Sequence, residues 1–409
     1  MEEEFRFYGQ LLDEQILSKI LSVIREEGGD YRVISLDFGE DNTDRSSLHL
    51  SVTAGDEESL ACIRGRLLLL GGEPVCPEEV SLLPAPATGV LPDAFYVTTN
   101  LSTMIFVEGR WIAVQGDEMD LVVVYDSAKK MAFSLPMAAV AAGQMVVVGE
   151  KGVKVALASQ AGSEGRFSFM SSDVSAEKPK HLLLQKVVRL MRLMHSQQQK
   201  ILVVAGPAVI HTGGGPFLER LIEQGWVDVL FAGNALATHD VEQALYSTSL
   251  GIPMASHHKA ESHGHAHHLW AINAVRKAGS LAEAVSQGVL KKGIMHTCIM
   301  HSVPYVLAGS IRDDGPLPDV ITDVIRAQQA MRKLLPGVGI VLMVGTTLHS
   351  IAVGNLLSGR VYTVCVDISP GVVTKLRDRG SRQAVGIVMD AASFFENLCR
   401  GLEGLEKGK

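Results

Sequence analysis

GIVLMVGTTLHS, residues 339–350, joins a near-continuous apolar run to a polar helix start, and this junction decides the fold. A strand that alternates apolar and polar residues has one wet face, whereas an unbroken apolar run marks a strand buried on both faces of a parallel sheet. The same pattern recurs in ILVVAG (201–206), VDVLFAG (227–233), VPYVLAG (303–309), VYTVCVD (361–367) and AVGIVMD (384–390). Each run ends in Gly or Asp and opens a polar turn that leads into a helix. Residues 179–409 therefore read as an open, Rossmann-like α/β sheet, whose ligands bind outside the carboxyl ends of the strands.

Working back toward the N-terminus, SSDVSAEKPK (171–180) is the best linker, followed by a basic-faced helix over 182–196. Residues 91–178 hold short β-like runs (WIAVQ, DLVVVYD, MVVVGEKGVKVAL) and read as a small β-rich domain with its linker. Residues 1–90 alternate between strand and helix periods in the order β-α-β-β-α-β, which predicts a ferredoxin-like module. The expected fold class is thus α/β, with a ferredoxin-like module and a β-rich unit preceding a Rossmann-like parallel-sheet domain.

Composition narrows the function classes. The chain has 409 residues, a net charge of −8 and 5% aromatic residues, which argues against nucleic acid or an anionic membrane as partner. The five cysteines are scattered and never form a CxxC pair, so neither a disulfide scaffold nor a thiolate zinc site is expected, and a reducing cytoplasm fits. The acidic start MEEEFRFYGQ carries no signal-peptide pattern. Residues 131–149 lack formal charge, but Pro136, Gly143 and Gln144 interrupt them and MVVVG reads as a short buried strand.

The unusual polar residues of the C-terminal half cluster at the strand ends. No G-x-G-x-x-G is present, yet Gly345 is followed by Thr346, Thr347, Leu348 and His349 at a helix start, where free amides favour a pyrophosphate. Asp367 lies 22 residues after Gly345, a spacing suited to accepting the adenosine ribose hydroxyls of NAD. The plainer alternative is a helix cap and a turn-forming Asp-Ile-Ser-Pro. Asn234 follows another buried strand, where its amide suits a nicotinamide carboxamide or a phosphate, with Thr238, His239 and Asp240 just beyond; a turn residue and a cap are the alternative. In GSIRDDGPLPD (309–319), Arg312 is placed to clamp a substrate carboxylate, while Asp313 and Asp314 could take an ammonium or pass protons. A solvated turn with a local ion pair explains the same residues. His257, His258, His263, His265, His267 and His268 invite a metal reading without a tetrahedral frame, and equally suit proton carriers or plain surface. Finally, the glycines around His211 in AGPAVIHTGGG (205–215) allow close backbone approach to a ligand.

AGPAVIHTGGG, VDVLFAGNALATHD, HHLWAIN, GSIRDDGPLPDVITDVI, LHSIAVGNLL, CVDISP and TKLRDRGS together closely resemble the archaeal-type ornithine cyclodeaminase family. The same unit is similar to the back half of cyanobacterial bifunctional arginine dihydrolase/ornithine cyclodeaminases. The first ~90 residues resemble the conserved domain of lysine-ketoglutarate reductase/saccharopine dehydrogenase, a comparison by analogy. LPDAFYVTTN and FMSSDVSAEKP extend the likeness over nearly the whole chain.

The resemblance implies tightly bound NAD and conversion of L-ornithine to L-proline and ammonia. The route is transient hydride transfer, imine formation, intramolecular attack by the δ-amine, and hydride return, in a closed site. It implies cofactor contacts at Asn234, Ala235, Asp313, Thr346, Thr347, Leu348, His349, Asp367, Asp390 and Ala391. For the chemistry the expected residues are Asp314 and Arg312, with His239 and Asp240 next. L-ornithine and further copies of the chain are the expected partners. The sequence departs from the family pattern in three places: Thr347 replaces a common methionine, Leu121 stands where cysteine often follows Glu-Met-Asp, and the 257–268 tract is richer in histidine. Rival readings are a net NAD-dependent amino-acid or opine dehydrogenase, a non-catalytic NAD- or metabolite-binding regulator, and, on the histidine tract alone, a metal hydrolase.

Overall fold

The computed structural model describes residues 1–9, 16–37, 46–75, 78–156, 180–249, 252–253, 266–313, 315–379 and 384–403. The chain forms two compact units, Met1–Asp173 with Leu357–Arg360, and Val174–Leu356 with Val361–Lys409.

The second unit is built on a six-stranded sheet of Lys200–Ala205, Val229–Gly233, Tyr305–Ala308, Val338–Val344, Tyr362–Asp367 and Ala384–Val388. Numbered one to six along the chain, these strands lie in the order 3-2-1-4-5-6, and every neighbouring pair is parallel. That is the doubly wound Rossmann order, with its switch point between strands one and four. All seven residues of Val338–Val344 are buried, as its apolar run requires. Helices Lys180–Ser196 and Ala391–Glu403 contribute Val187, Met191, Phe394, Phe395 and Leu398 to the same core. Arg192 closes the end of the last helix by donating to the Leu402 carbonyl at 2.6 Å, a basic side chain on orphan C-terminal acceptors.

In the first unit, Glu2–Gly9, Asp30–Asp37, Ser46–Thr53 and Glu73–Pro74 form an antiparallel sheet in the order 2-3-1-4, with helices Ile16–Glu26 and Glu57–Leu69 between them in sequence. This is the ferredoxin-like arrangement. Its core pairs Phe5, Phe7, Leu48 and Leu50 with Ile20, Ile24, Ile63 and Leu67 from the helices. A separate seven-stranded sheet contains Ser81–Pro84, Ser102–Val107, Arg110–Gln115, Val122–Asp126, Met131–Leu135, Met145–Val148 and Val153–Ala156. The uncharged stretch 131–149 supplies two of these strands and a 3₁₀ turn at Met137–Ala139. Among the described residues no helix is long and apolar enough to cross a membrane. Leu357–Arg360 returns to this unit from the end of helix Leu348–Leu356, with the Gly359 N–H donating to the Asn100 carbonyl at 2.6 Å.

Candidate functional site

The chemistry-bearing residues of the second unit converge on the carboxyl ends of its strands, around the switch point. Strands one and four approach there so closely that a side chain at Gly206 is excluded. A Cβ at that position would overlap the Gly345 carbonyl and lie 2.8 Å from Thr346 Cβ. The Gly206 N–H donates to the Val344 carbonyl at 3.0 Å and the Gly345 N–H to the Val366 carbonyl at 3.0 Å, which locks three strand ends together. Gly345 takes φ +62, a left-handed conformation in which glycine carries no Cβ penalty.

This turn launches helix Leu348–Leu356, with Thr346 and Thr347 just ahead of it. The first amides of a helix have no intrahelical acceptor and carry its positive dipole end, so they form a ready anion site. One strand over, half-buried Asp367 ends its strand, one carboxylate oxygen accepting the Ser369 N–H at 2.9 Å. At the next strand end Asp390 accepts the Ser393 N–H at 2.8 Å, and Ala391 begins helix Ala391–Glu403. Burial pushes the Asp390 carboxyl up, but the hydrogen bonds from Ser393 outweigh it and leave its pKa below the ordinary value. Three large apolar side chains stand exposed along this edge: Ile311, Leu348 and Ile368.

On the other side of the switch point, Asn234 and Ala235 open helix Asn234–Tyr246 directly after strand two. Asn234 is buried, and its side-chain oxygen accepts from Thr238 Oγ1 at 3.2 Å and from the Leu317 N–H at 3.1 Å. Its oxygen thus ties down the loop after strand three. In that loop Asp313 accepts the Ser310 N–H at 2.7 Å, while Arg312 is exposed. Asp314 lies outside the described residues. His349 lies against Gly233, where a Cβ would overlap the imidazole. Burial lowers the His349 pKa, against the opposing pull of Asp313, so the ring is neutral at pH 7. His349 thereby bridges the ends of strands two and four.

His239 sits in the second turn of helix Asn234–Tyr246, and its Nδ1 is 2.8 Å from Glu242 Oε2. The Glu242 side chain is fully buried, whereas that of His239 is 12% exposed and keeps access to the surface. The His211 ring meets the His239 ring edge-on at 4.8 Å. Sequence reasoning missed Glu242; the spacing of His and Glu three apart on one helix was the available signal.

Asp240 has another job. Its two oxygens accept the Ile294 and Met295 N–H groups, each at 2.8 Å, so it caps helix Ile294–Met300 from within the core. Two occupied oxygens and deep burial suit a structural cap rather than a proton carrier. Burial raises its pKa to about 7, against the opposing effect of those two backbone bonds. The native state then holds a proton that the unfolded chain releases at lower pH, so this group's stabilising effect is full below about pH 4 and fades as pH rises through about 7. Asp240→Ala should cost about 2–4 kcal/mol by stranding two buried donors. Denaturant unfolding checks this, and an unchanged midpoint would remove the cap from the account.

Of the histidine tract, His257, His258, His263 and His265 lie outside the described residues. Among the described residues no group of three or more His, Cys, Asp or Glu could hold a metal ion. Leu121 is buried in the first unit, its N–H donating to Thr98 Oγ1 at 3.0 Å.

Three family models tile the chain. "Arginine dihydrolase ArgZ-like, C-terminal, Rossmann fold" matches residues 185–398, its "first region" counterpart 102–184, and "LOR/SDH bifunctional enzyme conserved region" 2–101. The ornithine cyclodeaminase of Methanopyrus kandleri is 48% identical over 403 residues, covering 98% of this chain and 97% of that one. The crystal structure of apo ArgZ, an arginine dihydrolase of the cyanobacterial ornithine-ammonia cycle, superposes with a TM-score of 0.86 at 36% identity, covering 99% of this chain. AgrE in ternary complex with ornithine and NAD⁺ matches at 37% identity with a TM-score of 0.55, covering 100% of this chain. The chain spans 59% of the ArgZ structure and 58% of the AgrE structure. Identity of 48% over nearly the full length of both chains, on a switch point already assembled by the fold, shows that this chain belongs to the ornithine cyclodeaminase family.

Proposed function

We propose that this chain binds NAD⁺ across the carboxyl edge of its parallel sheet and converts L-ornithine to L-proline and ammonia. The observation that carries the reading is the switch point, where the helix start at Thr346–His349 stands beside the Asp367 carboxylate. The donor set fits the cofactor. Free helix amides suit a pyrophosphate, Asp367 suits ribose hydroxyls, exposed Ile368 and Leu348 suit ring faces, and the Asn234 amide suits a carboxamide. Ala235, Asp313, Asp390 and Ala391 would complete the contacts. The near-full-length match to the ornithine cyclodeaminase of Methanopyrus kandleri, and the match to AgrE in complex with ornithine and NAD⁺, support the same reading.

Bound there, NAD⁺ supplies a reversible hydride acceptor, so the reaction oxidises and reduces the substrate with no net redox change. The chain's own residues hold the substrate and move protons. Arg312 would hold the substrate carboxylate bidentately, as a planar guanidinium favours. His239 and Asp314 are the proposed proton carriers. Holding the δ-amine near the α-carbon makes the ring closure effectively unimolecular.

Incubation with L-ornithine and substoichiometric NAD⁺ tests this. Proline and ammonia should accumulate well beyond the NAD⁺ supplied, with no growth in reduced-nicotinamide absorbance. One reduced cofactor per ornithine consumed would make the chain a dehydrogenase, and NAD⁺ binding without turnover a regulator.

A further inference from the structure

Glu242 is an acidic side chain with no exposed surface, in the second half of helix Asn234–Tyr246. Burying a carboxylate without partners is costly, and both of its oxygens are partnered. Oε2 meets His239 Nδ1 at 2.8 Å and Oε1 meets Thr248 Oγ1 at 3.0 Å. Thr248 Oγ1 in turn lies 2.9 Å from His267 Nδ1. The His267 ring stacks on Tyr246 at 4.9 Å, with the planes 24° apart.

The proton positions in this chain follow from donor and acceptor rules. An ionised carboxylate only accepts. With Glu242 ionised, Thr248 donates its single hydroxyl proton to Glu242 and accepts from His267, so His267 carries its proton on Nδ1. By the same logic His239 donates Nδ1–H to Glu242, and its Nε2 becomes the basic nitrogen. Each distance is that of a normal hydrogen bond.

We infer that Glu242, held by Thr248 and His267, fixes His239 in the Nδ1–H tautomer and so makes His239 Nε2 the base that deprotonates the substrate's α-ammonium. The substrate's identity rests on the ornithine reading above; the tautomer does not. The transfer breaks one N–H bond of the α-ammonium and forms Nε2–H on His239, leaving the lone pair on the substrate nitrogen. The same proton returns when that nitrogen leaves as ammonia. The imidazolium formed in between is balanced by the Glu242 carboxylate, in the way a buried acid supports a catalytic histidine. Burial lowers the pKa of the neighbouring His211, with His239 adding to that and Glu242 opposing it, so His211 is neutral at pH 7 and adds no repulsive charge. Glu242, Thr248 and His267 are positioning residues, and they act through His239.

The test has a spectroscopic arm and a kinetic arm. Imidazole ¹⁵N spectra of the full chain, with the His239 signals among its 14 histidines identified by their loss in His239→Gln, report the tautomer without turnover. In the neutral ring, protonated Nδ1 and unprotonated Nε2 are expected, and the reverse tautomer would overturn the inference. Glu242→Gln should mix the tautomers and lower kcat by ~10²-fold, the size of a general-base contribution, while KM and NAD⁺ affinity stay close to wild type. Glu242→Asp should recover part of the loss. Thr248→Val, a smaller change with no buried charge removed, should lower kcat by about 10-fold in the same pattern. It keeps the inference testable if Glu242→Gln does not fold. Wild-type kcat in both variants, or equal losses in kcat and NAD⁺ affinity, would reduce the chain to scaffolding. If ornithine is not converted by the wild type, the proposed function fails while the tautomer result stands.

Discussion

Gly206→Ala should raise the Kd for NAD⁺ by about 10²-fold or more. The new Cβ would overlap the Gly345 carbonyl and press on Thr346. The first contact is backbone, so no side chain can swing away to make room. Overpacking of this kind costs roughly 1–3 kcal/mol even where neighbours can shift. Here the only relief is to separate the ends of strands one and four, which pulls the Thr346–His349 helix start out of register with Asp367. Since 1.4 kcal/mol is tenfold in affinity, the misplacement of several phosphate donors together gives the expected loss. Titration calorimetry with NAD⁺ measures it. Gly354→Ala is the control, on the same helix, where the nearest atom to the added Cβ is Met343 Cε at 3.9 Å. That change should keep affinity and gain about 0.5–1 kcal/mol of stability, the usual advantage of alanine over glycine inside a helix. If Gly206→Ala binds NAD⁺ as the wild type does, the cofactor does not depend on the switch point.

The sheet was legible because burial on both faces writes itself into the sequence. VGIVLMV has nothing polar to confuse its reading, and the Gly or Asp at each run's end marks where the chain leaves the sheet. Several candidate cofactor residues, Asn234, Thr346 and Asp367 among them, followed from the same strand-end reasoning, since a doubly wound sheet favours ligands at those ends, whereas Ala235, Asp390 and Ala391 came only from the resemblance. The ferredoxin-like module followed from alternating periods.

What stayed hidden depends on partners far away in sequence. Asp240 sits in a polar cluster after strand two and so reads as a catalytic acid. Its real partners are the N–H groups of Ile294 and Met295, 54 and 55 residues further on. Asn234 is tied through its oxygen to Leu317, 83 residues away. Glu242 looks like one more solvated charge on an amphipathic helix until Thr248 and His267 close over it. The return of Leu357–Arg360 to the first unit has no local signature at all, because LLSGR reads as an ordinary helix-to-strand connection.

Asp367→Ala should weaken NAD⁺ binding by about 1–3 kcal/mol, up to a hundredfold in Kd, the range for losing a charge-assisted hydrogen bond. Two readings of this residue remain distinct in what they predict. In one, Asp367 is only a turn former, its carboxylate spent on the Ser369 N–H at 2.9 Å. Alanine would then cost some stability and leave cofactor choice untouched. In the other, the turn is what holds the carboxylate in place, one oxygen on Ser369 and the other toward the adenosine ribose. A carboxylate in that position accepts from two ribose hydroxyls and repels a 2′-phosphate, so the wild type should bind NAD⁺ well and NADP⁺ poorly. The decisive quantity is therefore the ratio of the two Kd values rather than either alone. Loss of stability changes both in parallel, whereas removing the charge weakens NAD⁺ and relieves NADP⁺ together. The Kd for NADP⁺ divided by that for NAD⁺ should fall by at least tenfold in Asp367→Ala, and a ratio equal to that of the wild type would return Asp367 to the turn.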